Sequence, residues 1–436
     1  MIYFLLPRLS IHTYKHIEYT KMATDTDPPG PFISNSLAFY LYDIKERICE
    51  YNNDWDIYKK YTNPYEYIHS LIPQRKKCIA KYKPLSRSFF KMVEIASFFN
   101  LFEPISQKSV SKYTGTPLYS AVLLRTNNAP IQTFHLAEGP GGFIEAIAYL
   151  RKCPEDSYTG MTILSDDNDA NIPAWKKSTQ FLRENPNVFI ETGIDKTGNL
   201  LSFENFQYCS KKYKSSMDII TGDGGFDFSV DFNKQERNIA NLIFAQVVFA
   251  LAMQKYRGSF ILKIFDSFME HTVDILAILS SFYEQVYITK PHTSRYANSE
   301  KYIVCRGFLH QDNAEFLPYL NAAFQGMIGI DNIGHSPSRF LNIELSYMFL
   351  TKVEEYNAIF GQQQIENIHY TLSLIENKYK NDKIETLTKV NIQKCSQWCL
   401  KHNIPYHIIP VNTNMFLQNE TSDTVVSGYN KQSCFR

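Results

Sequence analysis

Two hydrophobic periods alternate along this chain. From about residue 35 the apolar positions recur at helical spacing, as in Leu37, Tyr40, Leu41 and Ile44. The stretch 87–102 predicts a second amphipathic helix, with Phe90, Met92, Val93, Ile95 and Ala96 apolar and Lys91 among them. From about residue 126 short apolar runs replace that period. They predict strands over 132–137, 158–164, 187–194, 217–221, 259–265, 285–289 and 302–308. Helices are predicted between them over 143–150, 238–255 and 273–283. Beyond about 310 the pattern is helical again, over 341–360, 365–378 and 391–401.

This division predicts four parts: a flexible arm over 1–34, a helical region over 35–125, an α/β core over 126–310, and a helical region over 311–436 with a flexible tail. Strands that alternate with helices predict a mostly parallel sheet with helices on both faces. Such sheets bind ligands beyond the carboxyl ends of their strands, so chemistry is sought in the turns that follow them. The opening MIYFLLPRLS is too short an apolar run for a signal peptide core, and Pro7 and Arg8 interrupt it. Met22 offers a second start. The chain has no run of 18 apolar residues, which predicts no membrane span.

Composition adds limits rather than a function. Hydrophobic residues at 44% and charged residues at 20% give an ordinary globular balance. A net charge of +1 excludes a generally basic surface, so contact with nucleic acid must be local. Candidate basic clusters are Lys76, Lys77, Lys81, Lys83 and Arg87, and again Lys211, Lys212 and Lys214. The 8 cysteines form no C-x-x-C pair, which predicts a reducing compartment and no metal centre. With 31 Phe and 29 Tyr, aromatic content alone identifies no stacking platform.

Four segments could carry chemistry. Ala137-Glu138-Gly139-Pro140-Gly141-Gly142-Phe143 lies between a predicted strand and a predicted helix. It has neither the G-x-G-x-x-G spacing of dinucleotide folds nor the Gly-Lys-Ser/Thr of a phosphate loop. It is either a bare turn or a seat for another ligand. Gly222-Asp223-Gly224-Gly225-Phe226 follows another strand, and Asp223 is either a turn former or a functional carboxylate. Lys263 interrupts the apolar strand Ile261-Leu262-Lys263-Ile264-Phe265, so it needs a carboxylate, a lowered pKa or an edge position. The polar loop from Ser294 to Glu300 precedes the last strand. Taken singly, this loop and Lys91 read as solvated surface.

Taken together and in order, these pieces resemble the FtsJ-like family of ribose 2′-O-methyltransferases, and within it the cap methyltransferases of the Adrift type. The resemblance covers roughly residues 80–310. It rests on Leu85-Ser86-Arg87 ahead of Lys91, on the glycine loop, and on Gly222 to Phe226. It continues through Phe260-Ile261-Leu262-Lys263, Lys290-Pro291-His292-Thr293-Ser294-Arg295 and Asn298-Ser299-Glu300-Lys301-Tyr302. It implies a Rossmann-like methyltransferase fold that uses S-adenosyl-L-methionine. The catalytic set falls on Lys91, Asp223, Lys263 and Glu300, with Lys263 as general base and no metal. Cofactor binding falls on Ala137, Glu138, Gly139, Pro140, Gly141, Gly142, Phe143 and Asp223, and on Asn199 and Leu200. Asn199 stands where relatives carry an acid near the adenine. RNA contact falls on Ser86, Arg87, Ser294 and Arg295. The implied substrate is the 5′ end of capped mRNA, with internal ribosomal or transfer RNA, or silent RNA binding, as alternatives. The resemblance also suits a cytoplasmic viral protein of asfarvirus type, carried in the virion and working beside other capping or transcription proteins.

Overall fold

The computed structural model describes residues 1–22, 30–103, 129–164, 174–225, 233–329 and 336–409. Its elements begin with β1 (Ile2–Leu5), β2 (Ile17–Lys21), α1 (Asn35–Glu46), α2 (Asn52–Thr62) and α3 (Ser88–Phe98). The core follows as β3 (Gln132–Leu136), α4 (Gly142–Arg151), β4 (Ser157–Met161), α5 (Thr179–Glu184), β5 (Val188–Glu191), α6 (Phe203–Lys212) and β6 (Met217–Gly222). Then come α7 (Gln235–Asn238), α8 (Ala240–Met253), β7 (Gln254–Ile264), α9 (Glu270–Phe282), β8 (Tyr283–Lys290) and β9 (Lys301–Phe308). The last are α10 (Leu317–Ile328), β10 (Pro337–Leu341), α11 (Tyr347–Glu376) and α12 (Asn381–Lys401).

Eight strands form one sheet in the order β1-β8-β9-β7-β6-β3-β4-β5. The run β7-β6-β3-β4-β5 is parallel throughout. β9 is inserted antiparallel between β7 and β8. That reversal matters for the site. An antiparallel strand begins where its parallel neighbour ends, so the loop leading into β9 returns to the carboxyl edge of β7. β10 pairs with β2 in a separate ribbon.

Alternation along the strands feeds two cores. Phe134, Ile220, Phe260 and Leu262 point to the face covered by α6, α8, α9 and α10, where Phe206, Phe249, Leu276 and Phe324 are buried. Ile219, Ile261, Tyr302 and Val304 point to the other face, against Phe89, Phe90, Phe143, Ile147 and Trp398 of α3, α4 and α12. Each buried Phe or Leu contributes roughly 2–3 kcal/mol by apolar transfer. A smaller cluster ties α1 and α2 to α11.

Three expectations change. The arm over 1–34 is structured where it is described: β1 adds to β8 as the eighth strand, and β2 pairs with β10. The apolar opening finds partners, since Phe4 stacks on Tyr356 at 4.5 Å and Tyr3 meets Phe98 edge-on. The predicted helix pair over 341–378 is one helix, α11, and Leu341 instead ends β10. Gly361 lies inside α11, where its missing side chain makes room for Leu37: a Cβ there would stand 2.9 Å from that side chain. Residues 23–29 of the arm and the predicted tail from 412 lie outside the described residues.

Candidate active site

The chain crosses from one side of β3 to the other. β3 is followed by β4 and β5 on one side, and α6 then leads to β6 on the other. The crevice beyond the carboxyl ends of β3 and β6 is therefore the switch point of this sheet. Both glycine segments lie there. After β3, Ala137 and Gly141 take left-handed backbone, at φ 53° and 107°. Gly142 then starts α4. A Cβ on Gly142 would stand 2.2 Å from the hydroxyls of both Ser86 and Ser88, so the segment entering α3 lies directly on the loop. Glu138 holds the loop from inside: its Oε1 accepts from the N–H groups of Phe143 (2.7 Å) and Ile144 (3.2 Å). Its Oε2 is buried with no hydrogen-bond partner among the described residues. Burial first, and Asp223 second, hold this carboxyl well above its usual range.

Two ion pairs stand beside the loop. Lys91 comes from α3 and reaches Glu300 at 2.7 Å. Lys263, near the end of β7, donates to the Asp223 carbonyl at 2.7 Å and lies 3.0 Å from its Oδ1. The period of two explains this meeting. Lys263 shares the face of Ile261, Asp223 follows the face of Ile219, and α3 covers that face with Lys91. Glu300 arrives from the next strand because β9 begins at this edge. Tyr302, opposite Lys263 in the register and fully buried, puts its hydroxyl 3.4 Å from Asp223 Oδ1 and also toward Glu300. Burial, Asp223 and Glu300 raise its pKa far above the ordinary phenol, so it stays a donor. Burial lowers the pKa of Lys91 against the pull of Glu300. Burial alone would raise Glu300, but Lys91, Lys263 and Lys290 together bring it well below the usual carboxylate range. Two cations and two carboxylates thus converge on one edge, an arrangement able to take a proton and to stabilise a developing negative charge.

The family model described as FtsJ-like methyltransferase matches residues 84–308, just over half of the chain. The chain belongs to the FtsJ-like methyltransferase family. Cap-specific mRNA (nucleoside-2′-O-)-methyltransferase 1 of Trypanosoma brucei brucei is 30% identical over 198 residues, covering 44% of this chain and 53% of that protein. The human protein of the same name is 33% identical over 196 residues, covering 43% of this chain and 23% of its own length. Cap-specific mRNA (nucleoside-2′-O-)-methyltransferase 2 of Drosophila melanogaster is 27% identical over 278 residues, covering 57% and 39%. The match spans about half of these relatives or less. A putative ribosomal RNA methyltransferase of Plasmodium falciparum is similar in structure at a TM-score of 0.33 and 18% identity, over 51% of this chain and 98% of that one.

The loop 291–300 of this FtsJ-like chain is clamped from three sides. Glu94 of α3 accepts from the His292 N–H (2.9 Å) and from the Thr293 N–H and hydroxyl (3.2 Å each). Glu66 takes the Arg295 guanidinium in a two-pronged pair, at 2.9 and 2.6 Å. Lys290, buried beneath, donates to the carbonyls of Asn298 (2.6 Å) and Glu300 (2.7 Å). Its burial brings its pKa down to about 7. An uncharged amine still has two N–H bonds for those two carbonyls.

The residues expected at RNA fare differently. Ser294 is fully buried, and Arg295 is paired with Glu66 while its side chain stays 20% exposed. Their place in the loop makes them part of its scaffold. Arg87 is half-buried, with one N–H 3.4 Å from the Thr293 carbonyl, and Ser86 hydrogen-bonds Ser88. Asn199 turns its Oδ1 into its own loop, accepting from the Leu201 N–H at 2.9 Å, and the Leu200 side chain belongs to the core. Of the second basic cluster, Lys212 pairs with Glu191 and Lys214 with Asp312. Tyr302, Lys290, Glu66 and Glu94 were not expected at the site. Tyr302 and Lys290 lie in segments with apolar alternation, where a buried polar group was the available signal.

Proposed function

We propose that this chain transfers a methyl group from S-adenosyl-L-methionine to a ribose 2′-hydroxyl of RNA, at the first transcribed nucleotide of capped mRNA. The observation that carries this is the meeting of the Lys91–Glu300 and Lys263–Asp223 pairs at the edge faced by the glycine loop. The names of the relatives support the cap as substrate. The residues present fit the cofactor: the N–H end of α4 suits its carboxylate, the left-handed turn at Gly141 lets the backbone approach closely, and the unpartnered Glu138 Oε2 suits a hydrogen-bond donor. Ala137 to Phe143 and Asp223 would hold it. Bound there, it supplies a methyl group made electrophilic by a sulfonium.

The rest falls to the chain. A 2′-hydroxyl is a weak acid, so its proton must be taken as the oxygen attacks. Lys263 takes that proton onto Nζ while Asp223 fixes its direction. Lys91, fixed by Glu300, stabilises the charge that develops on the oxygen. Tyr302 keeps the two carboxylates apart and aligned. The seven described cysteines are free thiols, which supports a reducing compartment such as the cytoplasm.

The test is mass analysis of one RNA sequence, capped and uncapped, after incubation with the cofactor. The capped RNA should gain one methyl group on its first ribose. Equal methylation of both forms, or methylation inside the RNA, would move the substrate away from the cap. Lys263→Ala should lower methyl transfer by at least about 100-fold, with cofactor affinity within a few-fold of the parent. Full activity in that variant would remove Lys263 as the base.

A further inference from the structure

The segment that leads into the Lys91 helix also lines a groove on the outer side of α4. Tyr82 and Lys83 form one wall, Tyr149 and Lys152 a second, and Lys177 and Glu184 of the α5 region a third, around a volume of about 610 Å³. That is the size of a small-molecule site and ample for a nucleotide.

Three lysines stand around it. Lys83, Lys152 and Lys177 are all exposed, and none makes an ion pair among the described residues. Lys212, Lys214, Lys255, Lys352 and Lys378 by contrast each face a carboxylate. Three lysines without an ion pair share this concavity with two carboxylates, Glu145 and Glu184, and leave it a net positive field for an incoming anion. Between them lie two aromatic rings, Tyr82 and Tyr149, with centroids 5.0 Å apart and planes tilted by 52°. Lys152 stands 5.5 Å over the Tyr149 ring. Glu145 below is occupied, accepting from the Tyr82 hydroxyl (2.9 Å) and the Leu85 N–H (2.7 Å). Glu184 accepts from Gln180 at the rim and leaves an acceptor for base N–H groups. Cations beside aromatic surface are how proteins hold single-stranded nucleic acid. The groove also adjoins the glycine loop. Leu85 and Ser86 lie against Gly141 and Gly142, so one short segment passes from the groove to the glycine loop.

We propose that this groove seats the RNA chain beyond the nucleotide that is methylated, with Lys83, Lys152 and Lys177 on its phosphates and Tyr82 and Tyr149 against a base. This rests on the RNA methylation proposed above. The test is the triple variant Lys83→Gln/Lys152→Gln/Lys177→Gln of the full chain, with binding and methylation measured on a capped dinucleotide and on a capped twelve-nucleotide RNA over a series of salt concentrations. The long RNA should bind roughly ten-fold more weakly, and its log–log salt slope should fall by about 2, at about 0.7 per single-strand phosphate contact. The dinucleotide should bind and react within about two-fold of the parent. All three positions are exposed, and equal thermal unfolding of parent and variant checks that the fold is kept. An unchanged long RNA, or equal losses on both lengths, overturns the groove. If the parent chain methylates neither RNA, the activity itself is what fails, and the length and salt dependence of binding still decides the groove.

Discussion

Lys91 and Glu300 are the more deeply buried of the two pairs, with side chains 9% and 11% exposed, against 13% and 17% for Lys263 and Asp223. Removing one member of a buried pair leaves an uncompensated charge, at about 3–5 kcal/mol. Lys91→Met should therefore lower unfolding stability in urea by about that much. The double variant Lys91→Met/Glu300→Gln should cost less than the sum of its single changes, and strictly additive losses would deny the coupling. Both single variants should also lose methyl transfer. Lys91 is hard to read in isolation because a helix can carry a lysine anywhere on its solvent face. Its one distinguishing mark is that Phe89 to Ala96 around it are all buried, so this helix has no solvent face in that span. Tyr302 is harder still. It faces Lys263 only because β9 inserts between β7 and β8, and strand pairing of that kind leaves no trace in spacing along the chain.

At the scale of elements, the loop 291–300 is an irregular segment held as firmly as a strand. Its ten residues deliver Glu300, and carboxylates from two different helical segments fix it at His292, Thr293 and Arg295. Burial would raise the Glu66 carboxyl, but Arg295 overrides this and brings it well below its ordinary 4.5. Its folded pKa being the lower one, this pair contributes in full above pH 4.5 and weakens as the pH falls below it. Glu66→Gln should speed amide exchange over 294–299 several-fold at neutral pH and lower the rate of methyl transfer. Cofactor affinity should not change, and unchanged exchange would mean that Glu94 and Lys290 suffice. The parallel strands were legible because burial on both faces writes continuous apolar runs. The ends of elements were not. β8 is longer than its apolar stretch, and the opening residues looked like an arm because a four-residue strand has too few positions to establish a period.

For the molecule as a whole, the sheet centre constrains behaviour in acid. His135 of β3 is fully buried, bonded to the Thr133 and Thr221 hydroxyls at 2.8 Å each, and burial lowers its pKa from 6.5 to about 3. The unfolded chain takes up a proton there below pH 6.5, while the fold refuses it until about 3. Stability from this residue is complete above 6.5 and drains away as the pH falls through that window. Relative to His135→Gln, the wild type should lose about 3 kcal/mol between pH 7 and pH 4, at about 1.4 kcal/mol per unit. Parallel stability curves for the two proteins would show that the histidine is not buried neutral. The first strand bears on the whole sheet in another way. β1 covers the outer side of β8, and β2 covers β10. A product initiated at Met22 would keep Lys91, Asp223, Lys263 and Glu300, yet it would leave both strands with open N–H and C=O groups along one side. Bare edges of that kind are templates for pairing with another chain. The hazard of the shorter product is self-association through those edges.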